Sequence, residues 1–386
     1  MKLSKRGYAY QSKVRQAVAY AIDRVGSFIF SYPQSESVPA KRILVIRIDS
    51  IGDVVITDPF LTCLKKENPN ADIIFLTTNA GKQIFALRTA DQGGPISELQ
   101  AFDCKWFSKN TYRLFSELIT LKKVIQSVRA DKIIDLRGDV RNLFAARMAA
   151  PNAVIESFGI TGGRFLLNRV FDYPQKGHAA ERNFVFLKNK YTVADISLSQ
   201  SLSSKPAEPF SDKQKTSGRI RIAIHPGAGT DAKKWSTARW AKLTELISHR
   251  SRYEIFWIGD ASCVELMNDI RLKYRGKSTH DDFKLNRIPL ESLGWSLAEC
   301  DLLVSADSGP VHIAAAQKVP TIVLFSGTSL PEEWTPWKTK NLIIRKPVPC
   351  SPCYRTTCFQ PRHDCMLDIT PEEVFDAIED MTMDML

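Results

Sequence analysis

Short, nearly uncharged runs of β-branched residues that recur between helical patterns constrain this chain more than any other feature. RILVIRI from Arg42 leads into the turn DSIGD and then into VVITDPFLTCLKKENP, which reads as one helix ended by Pro69. ADIIFLTT is a second strand, and DKIIDL is another, followed by the helical pattern RGDVRNLFAARMAA. Strands that read as unbroken apolar runs are buried on both faces, and their alternation with helices indicates a parallel sheet. Residues 197–218, rich in Ser, Lys and Pro and without periodicity, interrupt the pattern. It then restarts with RIRIAIHPGAG, YEIFWIGD, the helix and strand SLGWSLAECDLLVSAD, and VPTIVLFSG. ITPEEVFDAIEDM closes the chain as a helix, with Thr370 as cap and Pro371 at the first helical position.

The expected fold is therefore α/β, with two doubly wound Rossmann-like halves over 39–198 and 219–369 and a linker at 199–218. A basic extension, 1–38, precedes them and a helical segment, 370–386, follows. At about 150 residues per domain, a chain of 386 residues accommodates this division. Ligands of such sheets bind at the carboxyl ends of the strands, so the expected site is the cleft between the halves. In the extension, Val14, Val18 and Ile22 fall four apart on one face of an amphipathic helix among Lys13, Arg15 and Arg24. Two readings stay open: a helix packed on its own domain, and one facing a membrane surface or the acceptor.

The net charge of +11 bears on partners rather than on fold. The cations are spread along the chain and no aromatic RNA-binding signature is present, so nucleic acid is not an expected partner. An anionic membrane face or a phosphorylated substrate suits the charge. No stretch reaches the roughly 18 apolar residues of a membrane span, and the N-terminus lacks the pattern of a cleaved signal. The cytoplasm is the expected location, with peripheral contact to the inner face of the membrane. Eight cysteines do not make a disulfide scaffold; four of them, Cys350, Cys353, Cys358 and Cys365, crowd into CSPCYRTTCFQPRHDC. Their spacing leaves open a structural zinc or iron site, reduced thiols, or disulfides.

Common nucleotide and hydrolase motifs are absent. The DSIGD turn holds one glycine, so there is no dinucleotide fingerprint, and neither a serine elbow nor a zinc-protease helix occurs. What remains is a set of turns of small residues at strand ends. Asp53, just past a buried strand, is either a first-turn anion or a general base. HPGAGTDAKKW offers backbone amides with Lys233 and Lys234 near a phosphate, or is a plain surface turn. In SADSGPVHIAAA, Asp307, Ser308 and Gly309 precede a helix with His312 in its first turn, where amides can hold a pyrophosphate or where Asp307 or Ser308 is simply a cap.

In combination, ILVIRIDSIGDVVITDP, IAIHPGAGTDAKKW and LLVSADSGPVHIAAA resemble the signature blocks of glycosyltransferase family nine, the ADP-heptose:lipopolysaccharide heptosyltransferases. DLRGDVRNLFAAR and the late cysteine segment with ITPEEV are similar to it too, so the resemblance runs from about Arg42 to Ile378. It implies a GT-B fold, with the acceptor held by the first half and the nucleotide by the second, and a C-terminal helix that returns to the first domain. It assigns the base to Asp53 and donor binding to Ser50, Gly52, Gly227, Lys233, Asp307, Ser308, Gly309 and His312. Arg137 and Arg141, beside Asp135, and His178 and Arg182 in an H-x-x-x-R stretch are candidates for the acceptor. Ser236 stands where the family often has proline, and residues 1–38 lie outside the signature.

The implied reaction is an inverting transfer of heptose from ADP-heptose to a hydroxyl of a lipid-anchored, phosphorylated lipopolysaccharide-core acceptor, with no cofactor required for catalysis. Two alternatives remain open. One is the same fold with another nucleotide-sugar donor, or with a protein or other glycan as acceptor. The other is a non-catalytic nucleotide-sugar binding protein.

Overall fold

In the computed structural model, the structure describes residues 13–30, 32, 39–103, 114–191, 196–200, 202–204, 218–276 and 285–385. Most of the expected linker lies outside them, as do residues 1–12. The chain divides into two compact units, Met1–Ile196 and Ser197–Leu386. Residues 202–204, expected in the linker, belong to the second unit, where Ser203 Oγ accepts from the Trp295 amide (2.8 Å) and donates to the Glu291 carbonyl (3.0 Å).

The first unit carries a six-stranded parallel sheet. Its strands are β1 (Arg42–Ile46), β2 (Asp72–Thr77), β3 (Glu98–Ala101), β4 (Lys132–Asp135), β5 (Val154–Ser157) and β6 (Arg169–Val170), in the order β3-β2-β1-β4-β5-β6. Val45 of β1 faces Phe75 on one side and Ile134 on the other. Ile43 to Ile46 are buried throughout, because helices cover both faces of the sheet. The strand order reverses between β1 and β4, which makes their carboxyl ends the switch point of the fold.

The single helix expected after β1 is two: Ile51–Val55 and Asp58–Glu67. Pro59 lies in the first turn of the second helix, where a missing amide hydrogen is tolerated, and Asp58 is buried against Arg88 (2.6 Å). The N-terminal helix spans Lys13–Ile29, but it packs with an unexpected face. It buries Ala19, Asp23 and Gly26 rather than Val14, Val18 and Ile22.

The second unit repeats the topology with β7 (Ile220–His225), β8 (Tyr253–Gly259), β9 (Leu285–Arg287), β10 (Leu302–Ala306), β11 (Thr321–Leu324) and β12 (Asn341–Ile344), ordered β12-β11-β10-β7-β8-β9. Its switch point lies between β7 and β10. Trp235, Trp240 and Trp257 stack edge to face in the core. Ser236, at the usual proline position, caps the helix Thr237–Ser248 by accepting from the Arg239 amide.

The helix Pro371–Thr382 starts as expected, with Thr370 Oγ1 accepting from the Glu373 amide (3.1 Å). Val374, Phe375, Ile378 and Met381 are built into the core of the second unit beside the helix Thr237–Ser248, so its apolar face is spent there.

Candidate active site

Each switch point gathers a polar cluster. In the first unit, Arg47 leaves the end of β1 and is fixed by its own donors. Nη1 donates to the Leu136 carbonyl (2.9 Å), Nη2 donates to Asp53 Oδ1 (2.6 Å), and Nε lies 3.1 Å from Asp49 Oδ2. One guanidinium thus bridges two carboxylates. The second oxygen of Asp53 accepts from Ser50 Oγ (2.6 Å), and Ser50 is the N-cap residue of the helix that carries Asp53. The second oxygen of Asp49 accepts from Arg137, which comes from the β4 side and also donates to the Ile48 carbonyl (3.2 Å).

This wiring separates the two acids. Burial alone would raise Asp53, but Arg47 and the Ser50 hydroxyl outweigh it and hold that carboxyl below its ordinary value. For Asp49 burial wins and, with Asp53 adding repulsion, pushes the carboxyl up to about 6 against the pull of Arg47 and Arg137. Asp53 is therefore an ionised carboxylate at neutral pH, at the place where α/β sheets bind ligands.

The neighbouring candidates are more committed to structure. Asp135 is fully buried and accepts from the amides of Arg137 (2.9 Å) and Gly138 (3.2 Å); burial carries it to about 7. Arg141 closes on Asp139 through Nε (2.8 Å) and Nη2 (2.6 Å), and Asp139 also caps the helix Val140–Ala149. His178 is buried and caps the helix Ala179–Arg182 by accepting from the Ala180 amide at Nδ1 (3.2 Å). Arg182 is buried as well, donating to the Tyr173 hydroxyl (2.9 Å) and the Gly177 carbonyl (3.2 Å). Arg137, one of the four candidates for the acceptor, is wired directly to the Asp49–Arg47–Asp53 cluster.

In the second unit, His225 ends β7 opposite Ser305 of β10. Its Nδ1 lies 3.2 Å from Ser305 Oγ and 3.3 Å from Ser308 Oγ, and the two hydroxyls are 3.1 Å apart. Burial pulls the imidazole down to about 4, so it is neutral at pH 7. Ser308 is the N-cap residue of the helix Gly309–Ala316 but makes no side-chain capping bond, because its hydroxyl is turned to His225 and Ser305. His312 is buried in the first turn of that helix. Lys233 Nζ lies 2.6 Å from Asp307 Oδ2, whereas Lys234 makes an exposed pair with Asp231 (2.7 Å). Gly227 is there for space: a Cβ would stand 2.9 Å from Cys263 Sγ and 3.0 Å from the His225 ring.

Ser50 and Gly52, assigned to the donor, sit with Asp53 in the first unit. Gly227, Lys233, Asp307, Ser308, Gly309 and His312 gather in the second. Arg47, Asp49, His225 and Ser305 were not singled out by sequence. Their one available signal was position, since each lies at or just beyond the end of a strand flanking a switch point.

Cys350, Cys353, Cys358 and Cys365 are free thiols, which removes the disulfide reading. Among the described residues, no group of three or more His, Cys, Asp or Glu side chains is arranged to hold a metal ion, so the zinc or iron reading, one of the three left open, gains no support. The cysteine segment instead braces the lysine turn. The Ala232 amide donates to the Thr356 carbonyl (3.0 Å), and His363 Nε2 lies 3.0 Å from the Ala232 carbonyl.

The model of glycosyltransferase family 9 (heptosyltransferase) matches residues 118–363. The chain is 24% identical over 338 residues to lipooligosaccharide heptosyltransferase 2 of Campylobacter jejuni, covering 86% of this chain and 96% of that protein. Its fold is similar to that of the glycosyl transferase family 9 protein from Veillonella parvula, with a TM-score of 0.71, 21% identity and coverage of 91% and 99%. It is also similar to the E. coli heptosyltransferase WaaC solved with ADP, with a TM-score of 0.64, 18% identity and coverage of 89% and 98%. The two doubly wound sheets are those of the GT-B type. Because the family match spans more than half of its length, this chain belongs to glycosyltransferase family 9 and is a glycosyltransferase.

Proposed function

We propose that the chain moves heptose from ADP-heptose to a hydroxyl of a lipopolysaccharide-core acceptor, with inversion at the anomeric carbon. The observation that carries this reading is Asp53. It is a carboxylate kept ionised by Arg47 and Ser50, at the switch point of the unit that the family assigns to the acceptor. The acceptor hydroxyl gives its proton to Asp53 as its oxygen attacks the anomeric carbon. The bond from that carbon to the β-phosphate oxygen breaks on the opposite face, and ADP leaves with the electron pair.

Charge grows on the leaving diphosphate, and Lys233 together with the amides at the start of the helix Gly309–Ala316 is suited to receive it. Asp307 orients Lys233 through their 2.6 Å contact. Arg137, which reaches the Asp53 cluster through Asp49, is the residue best placed for an anionic group of the acceptor. The names of the relatives support heptose as the sugar and a lipooligosaccharide or lipopolysaccharide as the acceptor, and ADP in the E. coli neighbour supports the nucleotide.

The test is incubation with ADP-heptose and a lipopolysaccharide-core acceptor lacking heptose. ADP release with a product heavier by one heptosyl unit is the expected outcome. Release of ADP without a heavier product, or no release while another nucleotide sugar is consumed, would overturn the assignment.

A further inference from the structure

The N-terminal helix Lys13–Ile29 is docked by the wrong face for a helix that serves its own domain. Packing ordinarily buries the apolar stripe. Here the contact is a stripe of small and polar residues, Ala19, Asp23 and Gly26. Asp23 is 6% exposed, and its Oδ1 accepts from the amides of Gly163 (2.7 Å) and Arg164 (3.0 Å). Gly26 lies against Phe165 so closely that a Cβ would stand 2.4 Å from the ring. This clip holds the helix in one rotation about its axis, and that rotation points the apolar stripe outward. Val14 is 72% exposed and Phe28 85%, with Val18, Ile22, Val25 and Ile29 more than half exposed between them.

The helix also shapes an apolar groove, and other helices of the same unit expose apolar side chains. Ile22, Val25, Ile29 and Phe30 line a shallow apolar groove of about 370 Å³ that Phe165 closes. The helix touches the turn Arg164–Leu166, which touches the helix Val140–Ala149, which in turn packs on the helix Leu114–Val128. Those two helices expose Phe144 with Met148, and Phe115 with Ile119. A surface seldom leaves a stripe of six large apolar side chains on one helix without a partner.

Charge selects the partner. The first 22 residues hold Lys2, Lys5, Arg6, Lys13 and Arg15 and no acid, and Arg24 follows. The acid of the described helix, Asp23, is turned inward. An apolar stripe flanked by cations is the composition of a helix that lies in the plane of an anionic bilayer. A second copy of the chain would bring the same cations to face their own kind.

We propose that the helix Lys13–Ile29 is a bilayer-docking element that inserts Val14, Val18, Ile22, Val25, Phe28 and Ile29 among the acyl chains of an anionic membrane, while Asp23 and Gly26 couple it to the first unit. The proposal deepens the reading of a lipid-anchored acceptor, and its test does not depend on glycosyl transfer.

The full chain is floated with vesicles of phosphatidylcholine alone and of phosphatidylcholine with 30% phosphatidylglycerol, at low and high salt. Binding is expected to the anionic vesicles and to weaken with salt. Val18→Asp with Val25→Asp, both on the exposed stripe, lowers partitioning at least about tenfold. Lys13→Glu and Arg24→Glu lower it about fivefold each on the anionic vesicles only. Thermal melting of each variant, unchanged from wild type, shows that the fold persists. Equal vesicle binding by wild type and Val18→Asp/Val25→Asp overturns the proposal. So does a wild-type chain that ignores vesicles but forms a dimer in sedimentation that the same substitutions dissolve.

Discussion

Asp53→Asn isolates the charge of the base from its shape. The amide is isosteric and keeps an acceptor oxygen for the Ser50 hydroxyl, which stands 2.6 Å from Oδ2. It loses the ion pair with Arg47, whose Nη2 lies 2.6 Å from Oδ1. Arg47 nonetheless stays anchored, because Nη1 holds the Leu136 carbonyl at 2.9 Å and Asp49 remains at 3.1 Å. The site therefore survives without its proton acceptor. Loss of a general base costs at least about a hundredfold in turnover, which is about 2.7 kcal/mol in the barrier. Steady-state ADP release measures it, and ADP affinity by calorimetry should be unchanged, since no residue of the second unit is touched.

The pH profile adds a sharper check. A carboxylate base works above its pKa and loses activity as pH falls through it. Asp53 is held below the ordinary carboxylate value, so the acid limb of kcat/KM should lie well under the value of about 6 that burial imposes on Asp49. Turnover within tenfold of wild type in Asp53→Asn would refute the assignment. A limb near 6 that Asp49→Asn abolishes would move the base to Asp49.

Lys233→Ala should weaken ADP binding by roughly 1–3 kcal/mol, the scale of a charge-assisted hydrogen bond, and calorimetry showing no loss would place the phosphate elsewhere, with Lys234 the next residue to test. His363→Ala removes the contact to the Ala232 carbonyl beside that lysine and should weaken ADP by about 1 kcal/mol without touching turnover at saturation; a fall in kcat alone would contradict the bracing role. Gly227→Ala forces a Cβ to within 2.9 Å of Cys263 Sγ and should lower stability by about 1–3 kcal/mol in denaturant melts; an unchanged melt would refute the steric role of this glycine. Asp135 is raised from 3.8 to about 7 in the folded protein, so the folded state binds a proton there that the unfolded chain releases. Its contribution to stability is therefore largest below that range and falls as pH rises through it, and Asp135→Asn should flatten this part of the stability profile.

Much of this protein is local, and local features are legible in sequence. Unbroken apolar runs such as RILVIRI require a strand covered on both faces, and their alternation with helices leaves little but a parallel doubly wound sheet. The Ser50–Asp53 contact spans one helical turn, and Thr370 caps its helix three residues on, so both could be read from spacing. The three signature blocks likewise lie at strand ends, which is where such sheets bind.

What the tertiary structure decided depends on neighbours far along the chain. Arg137 meets Asp49 across 88 positions because β4 lies beside β1, and His225 meets Ser308 across 83 because β10 lies beside β7. No periodicity within either segment encodes that adjacency, so Arg47, Asp49 and His225 gave no signal of their own. The C-terminal helix was legible as a helix, but which unit takes its apolar face depended on the groove beside Thr237–Ser248. The N-terminal helix shows the physics most directly. Hydrophobicity alone would bury Val14, Val18 and Ile22. The turn at Gly163–Arg164 instead offers two amides that need an acceptor and an aromatic ring that admits no side chain at Gly26, so the small polar face docks and the apolar face is left to the outside.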